Sequence, residues 1–471
     1  MIKGSADVTV AGSGLLGLAT AFELAQRGMA VAVVGPRTGP HGGQASRAAG
    51  AMLTVFSEVE STHPPDRVRV EVGERLAARA GYEQWLAAIT AASGRSLALV
   101  PGVWVVANAV GADDAAELAA IRAAAIEHGD PAETADPGEV IGLAPQHRAH
   151  QALWLPTEAS VDATALTAAL AAAVYGHPRC TWTDALVTGV RESGEQLVVA
   201  ADDGTAITCA HVVLAAGAAI PVVLGDGELA EQVGAPPLWS GRGTSLLVRA
   251  PFTVPVAIRT PNRGFACGSH LVPRPDGRLY LGGTNRLSTQ PDYGRSAGLD
   301  EIATLVHDGG AELNTRLREA ELLDVRVGHR PVTTDHLPLL GRTGHPMVHL
   351  ATGTYRCGVL LAPRAAQIVA DGITTPGRHD RHPYSPRRPM PAPALAELLA
   401  GSTHGLVEML CQPGGQLPAG GAERLEAFLN AALAELATGR TGPAAAVQRM
   451  WRRAPMAETV PLLLDAAARV S

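Results

Sequence analysis

Three glycines near the N-terminus have the spacing of a pyrophosphate-binding turn. Gly12, Gly14 and Gly17 form a G-x-G-x-x-G pattern within VTVAGSGLLGLATAFELAQRG, residues 8–28. The first glycine of such a turn permits the tight bend, the second lets the backbone approach a pyrophosphate, and the third lets a helix pack closely on a strand. The N-terminus of the following helix offers free N–H groups and a partial positive charge to the phosphates. The chemistry indicated is dinucleotide binding.

The elements that would position this turn are predicted on both of its sides. Val8 and Val10 alternate as in a buried strand, residues 15–26 have helical composition, and residues 31–34 are valine-rich as in a second strand. The β-α-β order predicts an α/β protein that begins with a Rossmann-type dinucleotide domain.

The end of the second strand lacks the acid that usually holds a ribose hydroxyl, because that position is Gly35. In one interpretation, backbone groups, water and the neighbouring Arg37 hold the ribose. In the other, Arg37 selects a 2′-phosphate and the cofactor is NADP. No second G-x-G-x-x-G follows a strand and opens a helix, so a separate nicotinamide domain is not expected.

Composition narrows the classes of function. The chain has 471 residues, which is enough for two or three domains, with 46% hydrophobic and 18% charged residues. Its net charge of -7 argues against a nucleic-acid partner, and no apolar run is long enough to span a membrane. The five cysteines have no paired spacing, which argues against a zinc site or a disulfide scaffold. Lys3 is the only lysine, so a Schiff base or a P-loop is excluded. We expect a soluble, cytoplasmic protein without a bound metal.

Further elements follow from composition and periodicity. A helix at 162–174, a strand at 181–190 and a hairpin at 195–217 repeat a β-α-β-like order, and residues 237–330 are strand-rich. The proline- and arginine-rich segment 374–392 predicts a linker, and 393–471 a helical C-terminal extension. We expect the apolar face of that extension, with Leu425, Phe428, Leu429 and Leu433, to pack on the body, on a second subunit or on a partner protein.

Seven segments, in this order, resemble the FAD-dependent oxidoreductases of the D-amino-acid oxidase superfamily, and most closely the glycine oxidase branch. They are GSGLLGLATAFELAQRG (12–28), ASRAAGAML (45–53), SVDATALTAAL (160–170), VVLAAGA (212–218), SHLVPRPDGRLYLGG (269–283), GHRPVTTDHLPLLGR (328–342) and ATGTYRCGVLLAP (351–363). The resemblance runs from about residue 5 to 373 and leaves the extension uncovered.

This resemblance implies a Rossmann-type FAD-binding domain with an inserted antiparallel-sheet substrate domain. The FAD-binding domain would comprise residues 1–60, 155–235 and 331–373, and the substrate domain 61–154 and 236–330. The cofactor would be FAD rather than NADP. It would be non-covalent, because the position at which covalent members carry a histidine is Arg47.

The resemblance also implies the residues that contact FAD. They are Gly12, Ser13, Gly14, Leu16, Gly17, Arg37, Gln44, Ala45, Ser46, Ala49, Gly50, Met52, Val187, Ala216, Gly217, Gly353, Thr354, Tyr355, Arg356, Cys357, Gly358, Val359 and Leu360. A helix that starts near Val359 would point its positive end at the flavin edge where negative charge collects on reduction.

Four residues are expected at the substrate. By resemblance Arg330 is the clamp for a substrate carboxylate, Arg356 shares that role, and Met52 lines the same cavity. His270 stands where the glycine oxidase branch commonly has a tyrosine that helps hold the carboxylate. A neutral His270 could replace that hydrogen bond, and a titrating one could deprotonate the substrate ammonium near neutral pH.

The function expected is oxidation of the C–N bond of a small amino acid or an N-substituted, glycine-like amine to an imine. Hydride would pass to flavin N5, and O2 would be reduced to hydrogen peroxide. The related sarcosine-type oxidases use a lysine near the flavin to promote reaction with oxygen, and none is available here. Two alternatives therefore stay open, namely a dehydrogenase that passes electrons to a partner and a non-catalytic FAD-binding subunit.

Overall fold

Two β-sheets divide the strands of the protein between them. The computed structural model describes residues 2–37, 43–108, 113–263, 267–288, 290–390, 403, 406–407 and 421–438. The strands in these ranges are β1 (Ile2–Ala11), β2 (Val31–Val34), β3 (Gly43–Gln44), β4 (Met52–Leu53), β5 (Val100–Asn108), β6 (Glu133–Ala135), β7 (Ala149–Ser160), β8 (Cys180–Thr183), β9 (Val187–Ser193), β10 (Gln196–Ala201), β11 (Ala206–Leu214), β12 (Leu238–Arg249), β13 (Ala257–Arg259), β14 (His270–Pro273), β15 (Leu279–Gly282), β16 (Arg286–Ser288), β17 (Glu321–Thr333), β18 (Leu339–Arg342) and β19 (Val348–Thr352).

The helices lie between these strands. The α-helices described are α1 (Leu15–Gln26), α2 (Ala45–Ala48), α3 (Pro65–Ala80), α4 (Tyr82–Ser93), α5 (Asp114–Glu127), α6 (Ala163–Gly176), α7 (Ile220–Leu224), α8 (Glu228–Val233), α9 (Leu299–Glu312), α10 (Gly358–Thr374) and α11 (Gly421–Thr438). No helix within the described ranges is both long enough and apolar enough to cross a membrane.

The first sheet has the Rossmann arrangement expected around the glycine turn. Its order is β18-β19-β11-β1-β2-β8, with the β9–β10 hairpin joined to β11. β1 pairs in parallel with β2 and with β11, and β11 pairs in parallel with β19. The carboxyl ends of these strands therefore meet at one edge of the sheet, where α/β proteins bind their ligands.

Side chains alternate between the two faces of this sheet, as the strand pattern predicts. Val10 and Val213 belong to the core that contains Phe22 of α1 and Ile368 of α10. Leu214, the next residue along β11, belongs to a separate core beside the hairpin. Two buried faces explain why residues 8–11 of β1 and 212–214 of β11 are all small or apolar.

The second sheet is largely antiparallel and carries the substrate-side residues. Its order is β3-β17-β12-β15-β14-β13-β5-β7-β4, with β16 paired to β12 and β6 to β7. The long strands β12 and β17 pair over their whole lengths, from Leu238 opposite Thr333 to Arg249 opposite Glu321. The α/β fold with a second, antiparallel sheet agrees with the fold class expected from the sequence.

The strands of the two sheets alternate along the chain. The first sheet takes its strands from residues 2–34, 180–214 and 339–352, and the second from 43–53, 100–160 and 238–333. β3 and β4 belong to the second sheet, although the prediction places residues up to 60 with the FAD-binding part. The domain boundaries themselves stay a prediction.

Two local predictions differ from the structure. The strand predicted at 181–190 is two strands, because the chain leaves β8 at Asp184 and re-enters the sheet as β9 at Val187. Residues 374–378 of the predicted linker are exposed, but the part that follows packs against the body: Tyr384 is buried, and Arg388 pairs with Asp335 at 2.7 Å. Residues 391–392 lie outside the described ranges.

The C-terminal extension is described only in part. Of its predicted apolar face on α11, Leu433 is buried, whereas Phe428 is exposed. The Thr403 hydroxyl lies 3.5 Å from the side-chain oxygen of Asn430, so two parts of the extension contact each other. Contact with a second subunit or a partner stays a prediction.

Candidate FAD and substrate site

The glycine turn links β1 to α1 through contacts that only glycine allows. Gly12 has φ +127°, a conformation that residues with a side chain rarely adopt. A Cβ on Gly17 would lie 2.1 Å from the Gly12 carbonyl oxygen. α1 then begins at Leu15 with Gly14 as its N-cap. The close helix–strand packing that the motif predicts is therefore present.

One cavity of about 470 Å3 extends from this turn to the substrate-side residues of the second sheet. The predicted residues that line it are Gly12, Ser13, Gly14, Leu16, Gln44, Ala45, Ser46, Ala49, Gly50, Met52, Val187, Ala216, Gly217, His270, Arg330, Thr354, Tyr355, Arg356, Gly358 and Val359. Residues that are far apart in the sequence thus share one wall, as the resemblance implies.

Five predicted residues do not line this cavity. Gly17 packs inside the glycine turn, Gly353 makes a turn at φ +73°, and Leu360 is buried in the core. Cys357 directly precedes α10, and burial raises the pKa of its thiol to about 11. The Arg37 guanidinium lies 3.8 Å from the centre of the Tyr175 ring instead of facing the cavity. A direct role for Arg37 at the ribose stays a prediction.

The cavity has the features that FAD requires at its two ends. At one end, Ser13, Gly14 and the start of α1 offer backbone N–H groups for a pyrophosphate, whereas the Gly12 N–H donates to the Val34 carbonyl. At the other end, Gly358 and Val359 at the start of α10 line the wall, so the positive end of this 17-residue helix faces the cavity. The residues present therefore fit a flavin dinucleotide. Among the described residues, no group of three or more His, Cys, Asp or Glu could hold a metal ion.

Three arginines line the substrate end, and two of them are paired with glutamates. Arg259 contacts Glu58 at 2.5 Å and is 1% exposed. Arg356 contacts Glu60 at 2.5 Å, and its Nε lies 3.7 Å from Glu58. In each pair the glutamate neutralises the arginine, so neither Arg259 nor Arg356 needs a further anion.

The two glutamates are held in their charged form. Burial alone would raise the pKa of Glu58, but the charges of Arg259, Arg356 and Arg75 outweigh burial and lower it to about 2. Glu60 is half-buried, and the neighbouring Arg356 outweighs the effect of burial and lowers its pKa in the same way. Both side chains are therefore carboxylates at neutral pH.

Arg330 is the cavity-lining arginine without a carboxylate partner among the residues described. It lies on β17, half-buried, and its Nη1 donates to the Thr284 carbonyl oxygen at 3.0 Å and to Asn285 Oδ1 at 3.3 Å. Gly243 on the paired strand β12 leaves room for the guanidinium, because a Cβ there would lie 2.1 Å from Nη1. Two neutral acceptors orient the group, and no carboxylate among the described residues compensates its charge.

His270 lies at the same end with its tautomer fixed by the backbone. Its Nδ1 is 2.9 Å from the Gly268 carbonyl oxygen, so this nitrogen carries the proton and Nε2 is an acceptor. Nε2 has no hydrogen-bond partner among the described residues. Burial, and after it the charges of Arg259 and Arg330, lower the pKa of His270 to about 4.

These observations support neither of the two interpretations of His270. A group with a pKa near 4 is neutral at physiological pH, so the titrating alternative is not supported. The neutral ring has its single proton on Nδ1, so it cannot donate to a substrate carboxylate as a tyrosine would. His270 is suited to accept a hydrogen bond from an amine.

Some cavity residues were not predicted from the sequence. Glu58, Arg259 and Tyr280 line the cavity, and Tyr280 stacks on His270 with ring centres 5.6 Å apart. Tyr280 lies in the RLYLGG segment, which is part of the resemblance, so the sequence contained a signal that could have identified it. Glu58 and Arg259 are about 200 residues apart and belong to no local pattern, so only the fold brings them together.

A Rossmann sheet, a cavity at a glycine turn and an arginine to which no described carboxylate is paired fit an FAD-dependent oxidoreductase that acts on amino acids or amines. Residues 7–372 match the family described as FAD dependent oxidoreductase, DAO, and the chain belongs to this family. FAD is accordingly its cofactor.

Individual relatives agree with this assignment. A glycine oxidase of Geobacillus kaustophilus is 29% identical over 376 residues, which cover 78% of this chain and 92% of the relative. The crystal structure of glycine oxidase from Geobacillus kaustophilus superposes with a TM-score of 0.70 at 26% identity and covers 83% of this chain and 100% of that one. A bifunctional ThiO/ThiG protein of Nostoc sp. is 27% identical over 379 residues, which are 78% of this chain and 52% of that protein. The chain is thus a glycine oxidase-like FAD oxidoreductase.

Proposed function

We propose that the enzyme oxidises the C–N bond of a small amino acid or an N-substituted, glycine-like amine to an imine, and that O2 is the electron acceptor and becomes hydrogen peroxide. The observation that carries the proposal is the charge of Arg330, which no carboxylate in the described part of the chain compensates, whereas two neighbouring arginines already have glutamate partners. A carboxylate is the group that a fixed guanidinium binds best, through two parallel N–H···O bonds.

Each residue at this end has a role that its contacts allow. Arg330 binds the substrate carboxylate, held in place by the Thr284 carbonyl and the Asn285 side chain. His270 Nε2 accepts a hydrogen bond from the substrate amine and so orients the nitrogen. Arg356, already paired with Glu60, shapes the wall, and the shared carboxylate role expected for it from the sequence is reassigned to Arg330 alone. Bound FAD supplies a two-electron acceptor for the hydride that leaves the α-carbon.

The experiment is an anaerobic titration of the flavin absorbance with a panel of small amines. Glycine, N-methylglycine and the enantiomers of alanine test the class, and glycinamide and methylamine are matched controls that lack the carboxylate. We expect at least one amino acid to bleach the flavin and the controls to fail at the same concentration. Equal bleaching by methylamine and glycine would contradict the role of Arg330. A flavin that no amine bleaches would favour a non-catalytic subunit.

Admission of air then tests the electron acceptor. We expect rapid return of the flavin absorbance, with one hydrogen peroxide formed for each amine oxidised. A flavin that amines reduce but that stays reduced in air would favour a dehydrogenase with a partner protein, in keeping with Lys3 as the only lysine.

A further inference from the structure

The missing ribose acid at Gly35 has a steric cause in the glycine turn. Gly35 directly follows β2, at the position from which an acid reaches a ribose hydroxyl in dinucleotide domains. A Cβ at Gly35 would lie 2.6 Å from Ser13 Oγ and 2.7 Å from the Ser13 backbone nitrogen. Any side chain there would therefore displace the turn itself, because one of the two contacts is with backbone.

The backbone around Gly35 has little capacity left for a ribose. Its N–H donates to the Thr183 carbonyl at 3.1 Å, and its carbonyl accepts the Trp182 indole N–H at 2.8 Å. The Arg37 N–H donates to Asp184 Oδ1 at 2.9 Å. The three bonds fix the end of β2 against β8 and leave the side chains around it to bind the sugar.

Among the residues that the structure describes, Ser13 is the polar residue that lines the cavity beside Gly35. It is 7% exposed, and its hydroxyl donates to the Pro36 carbonyl oxygen at 2.8 Å. A hydroxyl has a single proton and two lone pairs, so Ser13 Oγ keeps its capacity to accept. We propose that Ser13 replaces the missing acid and that its oxygen accepts a hydrogen bond from a ribose hydroxyl in the adenosine half of FAD.

Two other side chains near this point are placed less well. The Arg37 guanidinium lies over Tyr175, and a guanidinium cannot accept a hydrogen bond. Asp184 is exposed and is not among the residues that line the cavity, and one of its oxygens is already bonded to the Arg37 N–H. The geometry therefore favours Ser13 over a carboxylate displaced to the neighbouring strand.

The test measures binding of two flavins to the apoprotein. One is FAD, and the other is an FAD analogue whose adenosine ribose lacks both hydroxyls. We expect the full chain to bind FAD about 3- to 10-fold more tightly than the analogue, as for one buried hydrogen bond. Ser13→Ala and Ser13→Gly should both lose this preference, because they weaken binding of FAD but not of the analogue.

A matched control separates this contact from a general disturbance of the turn. The Ser46 hydroxyl also lines the cavity, but it accepts the Leu15 N–H at 3.0 Å near the start of α1. Ser46→Ala should weaken both flavins by the same factor. The proposal would be overturned if both Ser13 variants still bound FAD more tightly than the analogue. It would also be overturned if Asp184→Asn, with Ser13 intact, lost this preference for FAD.

Gly35 provides a second and independent variant. Gly35→Glu restores the acid found in most dinucleotide sites, yet its Cβ meets the Ser13 backbone nitrogen. We expect Gly35→Glu to bind FAD more weakly than the unaltered protein, and Gly35→Ala to do so as well. Tighter binding by Gly35→Glu would show that the turn accommodates an acid, and it would refute the steric part of the proposal.

Discussion

Arg330 and Arg356 line the same cavity, yet their replacement should damage different properties of the enzyme. Arg330 donates to neutral acceptors, so its removal leaves none of the described carboxylates without a partner. Arg356 is the partner of Glu60. We therefore expect Arg330→Gln to impair catalysis in a stable protein and Arg356→Gln to destabilise the fold.

The expected magnitudes follow from these contacts. Removal of one partner of a buried, charge-assisted pair costs about 2–5 kcal/mol, so Arg330→Gln should lower kcat/KM about 30- to 5000-fold. Its free energy of unfolding should change by less than about 1 kcal/mol. Arg356→Gln should lose about 3 kcal/mol of unfolding free energy, the lower end for a broken buried pair, because the Glu60 side chain keeps 20% exposure.

The assays are reduction of the flavin by the best substrate of the panel and urea unfolding of both holoproteins. Arg330→Lys is a useful intermediate, because it keeps the charge and loses the planar pair of donors. A stable Arg356→Gln protein with the larger loss of kcat/KM would refute the assignment of the carboxylate to Arg330. An Arg330→Gln protein with unchanged kinetics would refute it equally.

Three further predictions concern stability. Between pH 6.5 and 5, His270 takes up a proton in the unfolded protein but not in the folded one, where its pKa is near 4. The free energy of unfolding should therefore fall by about 2 kcal/mol more in the unaltered protein than in His270→Phe over this range. Urea unfolding at each pH measures the difference. Glu158 is fully buried and accepts hydrogen bonds from the N–H groups of residues 55–57. Glu158→Leu should therefore lower the free energy of unfolding by at least about 3 kcal/mol, and Glu158→Gln by much less. Equal losses of the two variants in urea unfolding would contradict this role. Arg388→Met should leave Asp335 unpaired, lower the free energy of unfolding by about 3 kcal/mol and expose residues 374–390 to protease. Adding Asp335→Asn should recover part of this loss. Unchanged digestion of Arg388→Met would argue against a packed segment.

The sequence predicts best where short-range patterns decide the structure. Residues 15–26 form α1 with the predicted bounds, because a glycine turn starts the helix and apolar periodicity continues it. The strand pattern at 181–190 was misread as continuous, since nothing in its composition marks the break at Asp184. Before the break, β8 pairs with β2, which is a long-range contact, and after it β9 pairs with β10 in a local hairpin.

The candidate site shows the same limit at the level of side chains. The resemblance places Arg330 and Arg356 at the substrate end. Their different roles depend on Glu58 and Glu60, which lie almost 300 residues earlier in the chain. Similarly, the protonation of His270 follows from burial and from the Gly268 carbonyl, neither of which is visible in the sequence. The sequence motifs therefore indicated which residues lie at the substrate end. Only the fold shows which of their charges are neutralised by ion pairs.

The short strand β3 joins the two halves of the cavity through a single pairing. Gly43 and Gln44 pair with Gly328 and His329 of β17, directly before Arg330, while Gln44 and the residues after it line the cavity on the cofactor side. Ligands at the two ends should therefore show thermodynamic linkage, each raising the affinity for the other by the same factor. Acetate, which binds as a carboxylate but offers no C–N bond, should lower the dissociation constant of FAD from the apoprotein. This coupling would make a substrate-loaded enzyme the form that retains its flavin best.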